Sequence, residues 1–250
     1  MKSNDEIIEN EARFQDKRIK NYLKETRNKF SLVIDPALQI YRNKIFELSS
    51  LDILVVGCST GTITPLARKG ANVIGIDISK VAVAQLNKII LKEGLDKNAS
   101  VFLMNAEDPE LPENSFDLIC CSGVLHHLNI QRSLINWKKL LKKNGCLIMI
   151  EPMKWNPFAA IYRYFTLSER TPSEHPLSYS DILFINKHYA NTRLTPVNLF
   201  TPISLIFTFF IDLPRIAKAS YQFFLMIDKL LFKVFPGLKY FAWSIIIECK

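Results

Sequence analysis

The sequence lacks the features that mark several classes of protein. It has no Gly/Ser-rich or Pro-rich low-complexity stretch and no internal repeat, which argues against a linker or a repeat array. The N-terminus has no apolar signal core. The longest apolar stretch, 199–213, contains Pro202 and Asp212 and is too short to span a bilayer comfortably. The 250 residues, 48% of them hydrophobic, predict a single domain over 1–250 with a real core.

The cysteine pattern argues against two kinds of site. The five cysteines are odd in number, and no CxxC or Cys/His ligand spacing occurs. We therefore expect neither a disulfide framework nor a metal site. Four of the five lie in apolar runs, as small buried side chains do. A reducing, cytoplasmic compartment fits this pattern best.

The charge is basic but dispersed. The net charge of +8 suits an anionic lipid, an anionic substrate or simply a solvated basic surface. Because no dense basic tract with interleaved aromatic residues is present, nucleic acid is not an expected partner.

Short apolar runs alternate with helical patterns through the middle of the chain. The runs predict buried strands at 51–56, 72–77, 101–104, 116–121 and 146–150, with helices at 62–69, 79–93 and 130–142 between them. A last strand at 240–248 has a predicted antiparallel partner at 193–199. The expected fold class is α/β: a Rossmann-like, doubly wound, mostly parallel seven-stranded sheet with helices on both faces.

The ends of the chain differ from this core, which we place at 49–152. Residues 1–48 predict an N-terminal helical cap, with one helix at 5–30 and a second beginning at Asp35-Pro36. Residues 153–250 hold substrate-side additions and the last strands. Within them, 200–235 predicts an apolar helical insertion with more aromatic residues than one helix face needs. Two interpretations stay open: a helical cap over the last strands, or an apolar lid that accepts a lipid-like substrate or rests on a membrane, with Lys218, Lys229 and Lys233 near headgroups.

A glycine turn follows the first predicted strand. Gly57 and Gly61 allow a sharp turn and close approach of a ligand to the backbone. Asp77, twenty positions after Gly57, ends the second strand, where a carboxylate binds ribose hydroxyls. Ser59 and Thr62 stand where a dinucleotide fingerprint needs glycine, and no P-loop lysine follows. The pattern therefore favours an adenosyl ligand without a pyrophosphate.

Four segments in order carry a family resemblance: 53–61, 73–79, 105–117, and 122–128 followed by 140–147. Together they resemble the class I S-adenosylmethionine-dependent methyltransferases, in particular the ubiquinone- and menaquinone-biosynthesis-like small-molecule enzymes. The resemblance covers about Leu51 to Pro152. It implies the cofactor S-adenosyl-L-methionine and a small-molecule acceptor, a hydrophobic one being an option.

The resemblance also implies which positions bind the cofactor. The methionine part would lie in the cradle formed by Gly57, Cys58, Ser59, Thr60 and Gly61. The ribose and adenine would contact Asp77 and Ile78, and the adenine edge would meet Asn105, Ala106 and Glu107. The floor beneath the methionine end would be formed by Ser122 and Gly123. The chain departs from the family at Val55, where an acidic residue is usual, and at Ser59, where glycine is usual. The departures favour an alternative hypothesis, a non-catalytic cofactor-binding or accessory protein on this scaffold.

Three positions are catalytic or substrate-contact candidates. His126-His127 suggests a general base or metal ligand, or else a structural pair in which His127 packs and His126 faces solvent, since no carboxylate is placed in sequence to orient either ring. His127 is our candidate. Glu151, at the end of the fifth strand, either acts on the acceptor or only ends the strand. His175 is expected in a loop over the site. The attacking atom of the acceptor and the oligomeric state stay open.

Overall fold

The computed structural model of the chain describes residues 4–22, 30–47, 51–58, 60–165, 171, 174–209 and 213–250. Its centre is a seven-stranded sheet in the order β3-β2-β1-β4-β5-β7-β6. Neighbouring strands from β3 to β5 are parallel, and β7 is antiparallel to both β5 and β6. The strands are β1 Asp52–Val56, β2 Asn72–Asp77, β3 Ala99–Leu103, β4 Phe116–Ser122, β5 Leu141–Pro152, β6 Arg193–Val197 and β7 Ser244–Cys249. The predicted fold class is confirmed, including the antiparallel pair at the end.

Helices cover both faces of this sheet. They are α1 Asn4–Tyr22, α2 Ser31–Phe46, α3 Thr60–Arg68, α4 Lys80–Lys92, α5 Ile130–Leu140, α6 Pro157–Phe165, α7 Tyr179–His188, α8 Ile206–Phe209 and α9 Pro214–Val234. Apolar residues of α2, α3 and α4 pack on one face of the sheet, and those of α5 and α7 pack on the other. The alternation of side chains along each strand supplies both cores, since Leu54 and Val56 face one layer while Ile53 and Val55 face the other.

The start of α2 was predicted wrongly. The Asp35-Pro36 pair suggests a helix start, yet α2 begins at Ser31 and contains Pro36. Its buried residues, Val33, Ala37, Tyr41 and Ile45, recur every four positions along one face. Burying this face outweighs the backbone hydrogen bond that Pro36 cannot make.

Two other predicted boundaries differ from those in the structure. The helix predicted to reach residue 142 ends at Leu140, and β5 begins at Leu141 with a register shift beside Phe116 and Leu118. Gly145 lies inside this strand, where a Cβ would come within 2.9 Å of the Phe116 carbonyl oxygen. The strand predicted from residue 240 begins at Ser244, because Pro236–Phe241 forms a 3-10 turn.

The C-terminal insertion is helical, as predicted. A 3-10 turn, Thr201–Leu205, leads through α8 to the 21-residue α9. The buried carboxylate of Asp228 on α9 accepts backbone N–H bonds from Leu199, Phe200 and Thr201 at 2.7–3.2 Å. Tyr221 packs with Val33 of α2 and with Leu205. These contacts fix α9 against the body of the protein. Across the described ranges, no helix is both long enough and apolar enough to cross a membrane.

The Asp228→Asn variant tests this attachment. Replacing the charged acceptor with an amide turns an NH2 group toward backbone donors, and hydrogen bonds to charged groups contribute about 1.5–3 kcal/mol. We expect the free energy of unfolding to fall by about 2–3 kcal/mol in urea denaturation. The control is Asp108→Asn, which alters an exposed carboxylate paired with Arg132 and has little effect. Equal stability of the two variants would contradict the assignment.

Candidate functional site

The turn after β1 brings the backbone close to its neighbours. Gly57 has φ of +85°, and a Cβ there would lie 2.5 Å from Cγ2 of Val124. Both observations require glycine at this position. Ser59 lies outside the described residues. Thr60 begins α3, so the N-terminus of that helix follows the turn directly.

Asp77, at the carboxyl end of β2, is bonded to this turn. Its Oδ2 accepts the N–H of Cys58 at 2.6 Å, and its Oδ1 accepts the N–H of Ser79 at 2.8 Å. Burial raises the pKa of Asp77, and the backbone N–H bonds oppose that effect. Burial, together with the Asp77 carboxylate, raises the pKa of the Cys58 thiol. Cys58 therefore packs as a neutral thiol, and Asp77 keeps lone pairs on both oxygens for a ligand.

The loop after β3 is held by α5. Asn105 accepts the N–H of Glu107 through its side-chain oxygen, and the Ala106 carbonyl accepts the Trp137 indole N–H at 2.8 Å. The buried Glu107 carboxylate accepts the N–H of Asn129. Met104, just before this loop, donates its N–H to the Asp77 carbonyl. The predicted adenine-edge residues therefore lie beside the end of β2.

The turn after β4 completes the row of strand ends. Ser122 ends β4, and Gly123 has φ of +64° and donates its N–H to Ile150. The Glu151 side chain, fully buried at the end of β5, accepts the N–H groups of Val124 and Leu125 at 3.0 and 2.9 Å. Burial alone would raise the pKa of Glu151, but the His126 ring and these N–H bonds lower it below its ordinary value. Glu151 is thus an ionised anchor for this turn.

The two histidines each meet a carboxylate. Nδ1 of His126 lies 2.7 Å from Oε2 of Glu151, and His126 is buried, so the expectation that it faces solvent was wrong. Nδ1 of His127 lies 3.1 Å from Oε1 of Glu11, and its Nε2 lies 3.9 Å from Oε1 of Glu174. The rings are 4.2 Å apart.

Residues near the histidines come from a later segment of the chain. His175 donates its backbone N–H to the His126 carbonyl, while its own side chain is exposed. His126, His127 and Glu174 hold potential ligand atoms that all lie within 4.8 Å of one another, so these three residues are a group that could hold a metal ion. The expectation of no metal site, made from sequence spacing alone, stays a prediction.

Helix α1 covers the site and is tied to it at two places. Asp16 accepts the hydroxyl of Ser79 at 2.5 Å and the N–H of Val81, next to Asp77. Glu11, one to two turns earlier, bonds to His127 at the other end. Burial raises the pKa of Glu11, but the bonds from His127 and Gln15 outweigh it and bring the pKa to about 2.

Arg42 of α2 is a further candidate that the sequence did not single out. A Cβ added to Gly61 would lie 2.4 Å from Nη2 of Arg42, so the guanidinium lies directly against α3 near its N-terminus. The guanidinium is a strong partner for a carboxylate. Val55, the position where the family has an acidic residue, is buried in the cluster that contains Tyr41 of α2.

Most of the site residues predicted from sequence lie together. Cofactor positions at the ends of β1, β2, β3 and β4 fall along one edge of the sheet, beside the point where the strand order reverses. The sequence missed Glu11, Asp16, Arg42 and Glu174. Nothing in the pattern distinguishes them from solvent-exposed charges, because each contact joins residues far apart in the chain.

Comparison with known proteins agrees with this geometry. Residues 54–149 match the family described as a methyltransferase domain. A ubiquinone biosynthesis O-methyltransferase from Rickettsia conorii is 31% identical over 105 residues, covering 41% of this chain and 35% of that protein. Three counterparts from Pseudomonas are matched over 54–56% of their length. The chain therefore spans about a third to a half of the length of the curated relatives it matches.

Solved structures extend the likeness to the whole fold. Geranyl diphosphate C-methyltransferase from Streptomyces coelicolor, in complex with Mg2+, geranyl diphosphate and S-adenosyl-L-homocysteine, aligns over 87% of this chain and 80% of its own, with a TM-score of 0.59 and 13% identity. The [4+2]-cyclase SpnF aligns over 86% and 80%, with a TM-score of 0.56 and 16% identity. The resemblance to the class I methyltransferases is confirmed at the level of domain and fold.

The Glu11→Gln variant tests whether α1 is held down by its carboxylates. The amide is nearly isosteric but loses the charge that binds His127, so we expect faster amide hydrogen exchange along α1. The control, Glu9→Gln, alters an exposed carboxylate on the same helix. Because the pKa of Glu11 is lowered from 4.5 to about 2, its stabilisation is complete above about pH 4.5 and is lost as the pH falls to about 2. Unchanged exchange in Glu11→Gln would show that this tie does not hold α1.

Proposed function

We propose that this chain, whose residues 54–149 are a methyltransferase domain, transfers a methyl group from S-adenosylmethionine to a small molecule. One observation carries the proposal: the glycine turn after β1 is bonded directly to Asp77 and packs against the turn after β4. The ends of three adjacent strands thereby serve the cofactor: the turn after β1 offers a backbone cradle, Asp77 at the end of β2 offers a ribose acceptor, and the turn after β4 offers a floor for the reacting end.

The residues present fit the cofactor. Asp77 has the acceptor capacity for two ribose hydroxyls, and Gly123 leaves the backbone after β4 open, because an added Cβ there would meet nothing nearer than His126 at 3.7 Å. Arg42, beside Gly61, is placed to bind the carboxylate of the methionine part. The carboxylates of Glu11, Asp16, Asp77 and Glu151 make the surroundings acidic, which favours a cationic sulfonium ligand.

The bound cofactor supplies an electrophilic methyl group. The chain's own residues hold the acceptor in line with it and exclude water, and α1 provides the cover for both tasks. Methyl transfer would form the bond from the acceptor atom to the methyl carbon and would leave the electron pair of the broken sulfur–methyl bond on sulfur. An acceptor that carries a hydroxyl or N–H proton also needs a base.

His126 is the best-placed base. Its Nδ1 donates to the buried Glu151, which leaves Nε2 with the lone pair that accepts the acceptor's proton. Both oxygens of Glu151 already accept hydrogen bonds, Oε1 from two backbone N–H groups and Oε2 from the His126 ring. We therefore assign Glu151 a positioning role rather than direct contact with the acceptor. His127, the sequence-based candidate, is engaged by Glu11 and closes the site from the side of α1.

The alternative is a non-catalytic or differently reacting protein on the same scaffold. Val55 and Ser59 depart from the family pattern, and a fold neighbour is a [4+2]-cyclase, so the fold by itself does not imply methyl transfer. Release of labelled methyl groups to a panel of acceptors separates the two hypotheses. Firm cofactor binding with no transfer to any acceptor class would favour the alternative.

We also propose the partners and the cellular compartment of this protein. A small-molecule acceptor is the expected partner, and nucleic acid is not. The five cysteines all carry free thiols, in keeping with a reducing cytoplasm. We also propose peripheral contact with a membrane, which would place a hydrophobic acceptor within reach.

Calorimetry with S-adenosylmethionine and S-adenosylhomocysteine tests the cofactor. Asp77→Ala removes the ribose acceptor, and two lost charge-assisted hydrogen bonds predict a rise in Kd of about tenfold to a hundredfold. Asp96→Ala, which removes an exposed carboxylate from a loop, leaves Kd unchanged. If the parent protein binds neither compound at high micromolar concentration, the proposed function is wrong.

Replacing the proposed base tests the chemistry. His126→Gln should lower kcat about a hundredfold to ten-thousandfold toward an acceptor that loses a proton, with the cofactor Kd unchanged. Glu151→Gln should shift the pH dependence of kcat, because it alters the ring's partner. His188→Gln, at a histidine bonded to the Phe184 carbonyl on α7, is the control. A His126→Gln enzyme with full kcat across the pH range would eliminate His126 as the base.

A further inference from the structure

Helix α9 presents an unusual outer face. Five large apolar residues on it are between 47% and 63% exposed: Ile216, Phe223, Met226, Leu230 and Val234. At about 100° per residue they fall on one side of the helix, and the row runs for about 27 Å. We call these five residues the apolar stripe. Phe235, also exposed, extends the row past the end of the helix. A contiguous exposed apolar surface of this kind marks an interaction site.

The orientation of the stripe is fixed by the opposite face of α9. Ala217, Tyr221 and Asp228 are buried there. The Asp228 carboxylate accepts three backbone N–H groups from 199–201, so rotating α9 would leave a buried charge and three donors without partners. The stripe is therefore held outward and cannot turn into the core.

A row of positive charges borders the stripe. Arg215, Lys218, Lys229 and Lys233 are all exposed, and all lie on the same side of the stripe, about 80° to 140° around the helix from Phe223. The only acidic residue between positions 213 and 247 is the buried Asp228. We call these four residues the basic flank. The helix therefore presents an exposed apolar row beside a basic row that no exposed acidic residue of 213–247 neutralises. Such a pair of rows complements a surface with an apolar interior and an anionic outer layer.

We propose that α9 lies on an anionic membrane surface, with the apolar stripe in the acyl boundary and the basic flank at the phosphate groups. Lysine and arginine flanks of interfacial helices are attracted to anionic lipid in this way. The stripe itself offers no hydrogen-bonding side chain, whereas protein interfaces carry about one hydrogen bond per 100–200 Å². A bilayer is the occupant that needs no such partners, and the basic flank makes a second, equally basic copy of α9 a poor one.

Co-sedimentation of the full chain with vesicles tests the proposal. We expect binding to vesicles of equal parts phosphatidylcholine and phosphatidylglycerol, weak binding to phosphatidylcholine alone, and loss of binding as salt is raised. Lys229→Gln/Lys233→Gln should raise the Kd for anionic vesicles about thirtyfold, since each surface lysine contributes about a fivefold factor. Phe223→Ser/Leu230→Ser should raise it at least about tenfold.

Matched controls separate this surface from exposed residues in general. Leu91→Ser/Ile135→Ser removes two exposed apolar side chains from α4 and α5, and Lys88→Gln/Lys92→Gln removes two exposed charges from α4. Both should bind vesicles like the parent. All variants should keep the cofactor Kd of the parent, which distinguishes a failure of membrane contact from a failure of the proposed cofactor binding and methyl transfer.

Three results would overturn the inference. The first is a parent protein that does not sediment with anionic vesicles. The second is a similar loss of binding in the controls and in the α9 variants. The third is self-association of the parent, seen by light scattering and abolished by Phe223→Ser/Leu230→Ser, without vesicle binding; that would assign the stripe to a second copy of the chain.

Discussion

The buried carboxylate of Glu151 holds the centre of this structure together. It lies at the end of β5 and binds two backbone N–H groups and the His126 ring, all from the turn after β4. The turn after β4 places Val124 against Gly57. The shape of the glycine turn after β1 therefore depends on the turn that Glu151 holds. The lowered pKa of Glu151 shows that these contacts outweigh the cost of its complete burial. Its charge therefore holds the geometry of this turn, and it would enter the proposed chemistry only through the imidazole that it orients.

Buried carboxylates fix other loops in the same manner. Asp77 joins the ends of β1 and β2, Glu107 holds the entry to α5, and Asp228 fastens the 199–201 loop to α9. Each satisfies backbone donors that have no strand or helix partner. The price is a concentration of negative charge near the strand ends. The cationic cofactor proposed above would relieve the repulsion between these carboxylates, which would link the way the loops are held to the proposed ligand.

The sequence predicted those parts of the fold that depend on neighbouring residues. The helix predicted at 79–93 is α4, which Ser79 caps, and the Gly57 turn and Asp77 occupy adjacent strand ends. The site was predicted less well, because its remaining groups come from distant segments. Glu11 lies in a charged helix where nothing marks it for burial, and His126 has no acid near it in sequence although Glu151 lies 2.7 Å away in space. The predicted start of α2 at Asp35-Pro36 was wrong because the preference of proline for the first turn of a helix depends only on neighbouring residues. The burial of Val33 and Tyr41, which extends the helix to Ser31, depends on tertiary contacts.

Helix α2 connects the two surfaces to which a function is proposed above. Near its start, Val33 packs with Tyr221 of α9, and its carbonyl accepts a hydrogen bond from Asn198. Further along, Tyr41 packs beneath the sheet, and Arg42 lies against Gly61 at the glycine turn. A rigid helix therefore spans from the proposed membrane-facing element to the proposed cofactor cradle. Because Tyr221 and Asp228 hold α9 against the body of the protein, the apolar stripe keeps a fixed position relative to Arg42 and the turn that Arg42 contacts.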